Sequence, residues 1–144
     1  FYNMKKINLI PLILFAIFFL CSCRNKTVVL LTKKWDCVKV DNIVPPDTKF
    51  LSSKDSANAE QLKSVLQSVS WTFKNNMQYE CAISSRITVE GKYQLLENDK
   101  ILICTSESGS SVNRYSINSL TENELVLSGR AENVTLVLHF RSNQ

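Results

Sequence analysis

Arg86-Ile87-Thr88-Val89-Glu90-Gly91-Lys92-Tyr93-Gln94-Leu95 decides the fold class. Ile87, Val89, Gly91, Tyr93 and Leu95 share one parity and Thr88, Glu90, Lys92 and Gln94 the other, the period-two signature of a strand with one dry and one wet face. Upstream, Tyr79, Cys81 and Ile83 alternate in the same way against Gln78, Glu80 and Ser84. Near the C-terminus Val134, Leu136, Leu138 and Phe140 oppose Thr135, His139 and Arg141, with Val137 as the exception. Turn signals fall at Asn75-Asn76, Ser84-Ser85, Glu97-Asn98-Asp99, Ser108-Gly109-Ser110, Glu122-Asn123 and Gly129 to Asn133. Strands with turns about every ten residues leave no room for crossover helices, so the chain reads as an all-β antiparallel meander.

Two strands are ambiguous. Ile101 to Cys104 is apolar on both faces, and Trp35 to Val40 can turn either Trp35 and Cys37 or Val38 and Val40 inward. Burying Trp35 gains the larger apolar area, which favours the first choice. One interruption separates this first strand from Trp71. Asp41 to Phe50, with Pro45-Pro46, reads as loop, and Ser56 to Ser70 carries Leu62, Val65, Leu66 and Val69 at helical spacing. Ser52, Ser53, Asp55 and Ser56 are available as N-caps. A short amphipathic helix docked on the sheet is expected there.

The 144 residues suit one domain, and three Gly and three Pro exclude collagen-like and low-complexity chains. A formal charge of +4 has no clustered basic face behind it; beyond the N-terminal segment Lys33-Lys34 is the only adjacent basic pair, so nucleic acid is not an expected partner. No enzyme is expected either. His139 is the sole histidine, and its parity puts it on the wet face, so neither a zinc site nor a Cys/His nucleophile can be assembled. Glu80, Glu90 and Glu97 would pair as carboxylates only if adjacent strands aligned them; their outward parity more simply marks a solvated face. Ser52-Ser53-Lys54 has the wrong spacing for an activated serine. No cofactor or metal is implied.

The N-terminus adds a location. Met4, which reads as the translation start, precedes Lys5-Lys6, an apolar run from Ile7 to Leu20 and then small residues, the three parts of an export signal. Its fourteen positions, interrupted by Asn8 and Pro11, would rise only about 21 Å as a helix, short of the roughly 30 Å of hydrocarbon. Leu20-Cys21-Ser22-Cys23 resembles the bacterial lipobox, which implies cleavage after residue 22 and acylation of Cys23. Two or more acyl chains give stable attachment to a bilayer where one does not. Residues 1–22 are then the signal peptide, 23–30 a lipid-anchored tether and 31–144 the folded domain. Removing 1–22 takes away Lys5 and Lys6, so the charge falls to +2.

Leu31-Thr32-Lys33-Lys34-Trp35, Trp71-Thr72-Phe73-Lys74-Asn75-Asn76, Gly91-Lys92-Tyr93, Tyr115 to Thr121 leading to Leu125-Val126-Leu127, and Leu138-His139-Phe140-Arg141 resemble, in order and spacing, the lipocalin-like domain of Bacteroidetes lipoproteins. The family usually has Gly before the Trp where this chain has Lys34. The resemblance implies an eight-stranded antiparallel up-and-down barrel, wide enough for side chains or one small ligand. Inward Trp35, Phe73, Tyr79, Tyr93, Tyr115 and Phe140 would line a cavity for a small apolar or amphipathic molecule. The same residues can equally fill the lumen, leaving a structural or protein-interaction module of an envelope complex. Cys37, Cys81 and Cys104 then remain; Cys37 with Cys81 is conceivable across the lumen, and no bridge is expected. Asp55-Ser56-Ala57 resembles the short O-glycosylation sequon of Bacteroidetes envelope proteins. Arg24-Asn25-Lys26 lacks both the Asp of inner-membrane retention and an acidic surface-export run, which favours the outer membrane, facing the periplasm.

Overall fold

The turns the sequence marks are backbone positions that few residues adopt. Ser84 and Ser85 both have positive φ (48° and 68°), as do Glu97, Asn98 and Asp99 (54°, 56° and 65°) and Gly109 (68°). Two successive left-handed residues twist a tight hairpin in the same sense as its strands. In this computed structural model, which describes residues 25–43, 53–131 and 134–143, such turns join eight antiparallel strands. They are β1 (Lys34–Asp41), β2 (Val69–Phe73), β3 (Gln78–Ile83), β4 (Arg86–Leu96), β5 (Ile101–Ser106), β6 (Val112–Leu120), β7 (Glu124–Ala131) and β8 (Val134–Ser142). Each pairs with the next and β8 pairs back with β1, closing the barrel. The up-and-down barrel with one helix between its first and second strands is the architecture expected. The export signal, Cys23 and the Pro45-Pro46 loop lie outside the described residues.

Register around the ring puts one parity inside. Trp35 opposes Trp71, Phe73 opposes Tyr79, Tyr93 opposes Cys104, Leu102 opposes Tyr115, and Phe140 opposes both Leu125 and Cys37. Three β-bulges alter what period two predicts. On β1 the register slips between Cys37 and Lys39, so Trp35 and Cys37 point inward as favoured, Val38 is turned out, and Val40 of the other alternative is buried as well. On β4 the extra residue is Thr88, whose hydroxyl donates to the Cys81 carbonyl oxygen at 3.2 Å. Ile87 therefore leaves the inward set, opposes Ala82 and is 49% exposed. The third bulge, between Ile117 and Ser119, lets Ile117 and Leu120 both face in.

Four further expectations change. Gly129 is not in a turn: it lies inside β7 opposite Tyr115, whose ring would meet an added Cβ at 2.7 Å. Cys104, of undetermined parity in the sequence, faces inward and is buried. Residues expected to be a loose tether form α1 (Lys26–Leu31), whose N-cap Asn25 accepts the Thr27 amide at 2.9 Å. The helix before β2, α2 (Ser53–Gln67), starts earlier and ends sooner than its apolar spacing suggests. Val69 already belongs to β2 and packs on the core from there, and of the set that stays helical only Leu66 does so, leaving Leu62 and Val65 exposed. Ser56 and Ala57 are exposed in its first turns.

The barrel has a base and a mouth. The turns β2–β3, β4–β5 and β6–β7 lie at the base with α1, whose Leu31 is fully buried. The Trp35 indole N–H donates to the Leu31 carbonyl at 2.9 Å, Asn25 donates to Asp99 at 2.7 Å, and the Lys33 ammonium donates to the Glu122 carbonyl at 2.8 Å. The backbone groups at the end of α1 are thus partnered and the base is corked. The mouth lies at the opposite end, where α2 and the β3–β4 and β5–β6 turns sit.

Candidate functional site: the barrel interior

The interior is graded from base to mouth. Trp35, Phe73, Tyr93, Leu102, Leu125 and Phe140 are essentially inaccessible and pack as core. Above them Trp71 is the hub of an aromatic cluster, its ring centroid 5.2 Å from Tyr115, edge-on, 5.6 Å from Phe73 and 6.0 Å from both Tyr79 and Phe140. Such tilted and edge-on pairs add about 1 kcal/mol each beyond area burial. Towards the mouth Val69, Cys81, Val89, Tyr115 and Leu138 hold inward register and yet are only half-buried.

The six aromatics expected to face inward do so, but they divide by depth. Trp35, Phe73, Tyr79, Tyr93 and Phe140 are buried, and Tyr115 alone is half-buried. The sequence reading omitted Trp71, although it shares Phe73's parity against Ser70 and Thr72. The Tyr93 hydroxyl is committed to the wall, donating to the Lys74 carbonyl at 2.9 Å. Those of Tyr79 and Tyr115 have no hydrogen-bond partner among the described residues.

Burial sets the electrostatics. It pushes the Cys37 thiol up to about 11 and Cys104 further still, and raises Cys81 as well. It pushes the Tyr79 phenol up to about 12 and Tyr115 beyond, the nearby Cys104 and Cys81 adding to the effect. These groups are neutral at pH 7, so the interior offers phenol and thiol donors and no charge. The three cysteines of the described residues are free. The one ionised group in inward register is Arg86, exposed at the mouth opposite Ile83 and without a partner among the described residues.

The outer wall is different. A groove of about 550 Å³ on β3, β4 and β5 is lined by Lys74, Glu80, Glu90, Lys92 and Glu107 among others. Glu80 and Glu90 are direct cross-strand partners, and Lys74 pairs with Glu80. Glu97 stands apart in the β4–β5 turn, bonded to Arg114 at 2.6 Å. His139 faces outward and bonds the Asp41 carboxylate at 2.9 Å. No nucleophile bonds to His139 among the described residues, and no group of three or more metal-ligating side chains occurs among them.

This architecture is lipocalin-like. It is similar to a lipocalin-like protein from Bacteroides uniformis (14% identity, 79% of this chain and 99% of that one, TM-score 0.51). An uncharacterized protein from Bacteroides eggerthii aligns at 13% identity over 78% of this chain and 99% of that one, TM-score 0.51. A DUF4847-family protein from Bacteroides vulgatus aligns at 13% identity over 80% and 95%, TM-score 0.48. At such identities the likeness is one of fold. No protein-family model matches the chain, and no curated protein does.

Proposed function

We propose that this is an envelope lipoprotein, held by acyl chains on Cys23 in the outer membrane facing the periplasm, whose barrel takes up one small apolar or amphipathic molecule through its mouth. The observation that carries the reading is the half-burial of Val69, Cys81, Val89, Tyr115 and Leu138 in inward register, since in a closed barrel such side chains meet solvent through the lumen. The buried aromatics below them would form the floor, Trp71 and Tyr115 the contact surface, and the unpartnered Tyr79 and Tyr115 hydroxyls the orienting donors. No catalytic step is assigned to the protein.

The test is titration with N-phenyl-1-naphthylamine, a neutral apolar fluorophore, read by its emission and by energy transfer from Trp71. Saturable binding is expected, and Leu138→Trp, which fills the lumen above the aromatic cluster, is expected to abolish it with an unchanged far-UV spectrum. Binding that survives Leu138→Trp would refute a luminal site.

A second reading draws on the same aromatic cluster. If Trp71 and its four ring neighbours complete a filled core, the protein acts as a non-enzymatic interaction module. Its contact surface would be the mouth, where Leu62, Val65, Ile87 and Val112 are exposed. Absence of any saturable probe binding favours that reading.

A further inference from the structure

We infer that the barrel stands base-down on the bilayer that anchors it, so that its mouth points away from that membrane and exchanges its occupant with the aqueous compartment. The inference rests on acylation of Cys23. Asn25 is fixed at the base by its bond to Asp99, only two residues from Cys23. Two residues reach at most about 7 Å, so the base must lie against the headgroups. Strands of eight or nine residues, tilted as in small barrels, then lift the mouth about 20 Å above them.

The surfaces of the two ends bear on this orientation. The base exposes Asn75, Asn76, Asn98, Asn123 and Asn143, amides able to donate to phosphate and accept from headgroup amines, beside charges of both signs at Lys26, Lys100, Glu97 and Glu122. Val29, half exposed on α1, adds an apolar contact nearest the anchor. Of the exposed large apolar residues, Leu62, Val65, Ile87 and Val112 are at the mouth against Val29 and Leu96 at the base, so unaided hydrophobicity would press the mouth into lipid. The tether forbids that while α1 stays in place. The eleven steps from Cys23 to Lys34 could extend about 38 Å only if α1 unwound, withdrawing the fully buried Leu31 and breaking its bond to the Trp35 indole. The corking helix is therefore the element that holds the mouth out.

The experiment uses the full chain, processed and acylated in a bacterial host and reconstituted in phosphatidylethanolamine–phosphatidylglycerol vesicles, with a nitroxide at Asn123→Cys (base) or Ser110→Cys (mouth). Asn143→Cys and Val112→Cys serve as replicates of the two ends. Vesicle flotation comes first: protein that does not float refutes the acylation reading, and this inference with it. With floating protein, the base label is expected to lose most of its collisions with a water-soluble nickel chelate relative to detergent-free soluble domain, and the mouth label to lose none. Shielding of the mouth label, or equal accessibility of both, overturns the inference while leaving the anchor intact.

Discussion

Gly91 shows how closely the wall is built at the level of single residues. An added Cβ there would come within 2.0 Å of the Thr105 carbonyl oxygen, a backbone atom of β5 that can move only by displacing the strand. Gly91→Ala is expected to cost about 3 kcal/mol, the upper range for overpacking, as measured by urea denaturation. Asp41 offers a pH signature. Its hydrogen bond from Lys39, and more weakly that from His139, hold its carboxyl below the ordinary 3.8 against a smaller opposing effect of desolvation. A depressed carboxyl stabilises the fold above its ordinary value and loses that contribution as pH falls through the lowered one. Asp41→Asn is therefore expected to lower Tm slightly at pH 7 and to flatten its fall with acidification below about pH 4, the two proteins converging in acid. Residue identity was also the most legible scale: the inward parity of Tyr79, Tyr93 and Phe140 follows from alternation alone. Val40, Ile87 and Leu120 escape it, because a bulge depends on where ladder hydrogen bonds skip a residue, and no residue type announces that.

At the scale of the element, turns and helices separate what composition can reveal from what it cannot. Every hairpin connection falls where polar residues mark it, the last at Glu132-Asn133 between β7 and β8; its marked span only begins too early, because Gly129 serves Tyr115's ring rather than a reversal of the chain. The tight β3–β4 turn uses two serines at positive φ, which suits Asn and Gly better. Replacing Ser84-Ser85 by Asn-Gly relieves two left-handed serines and is expected to stabilise the protein by about 0.5–1 kcal/mol, raising Tm without altering the spectrum. A lower Tm would show that the serine side chains matter more than the backbone. The helix α2 misled for a physical reason. Helical spacing of Leu62, Val65 and Leu66 measures an apolar stripe, whereas docking depends on whether a facing surface exists, and only Leu66 meets one. The cork α1 was invisible because six residues carry too little periodicity to read.

At the scale of the molecule, the interior is apolar, and among the described residues one cation in inward register, Arg86, stands at the entrance. An amphipathic acid entering tail-first would leave its carboxylate near Arg86, whereas a neutral probe would not feel it. Arg86→Ala is expected to weaken a fatty-acid analogue several-fold, to diminish the salt dependence of its binding, and to leave N-phenyl-1-naphthylamine unaffected. Equal losses for both probes would place Arg86's role in shaping the entrance instead of in charge. The joining of β8 to β1 carries a consequence of another kind. A ring has no outermost member, so no flank of bare main-chain donors and acceptors is left to recruit a foreign chain. Fibril growth from this domain accordingly requires the ring to open first, and resistance to seeding by pre-formed aggregates is expected to last as long as the seam stays shut.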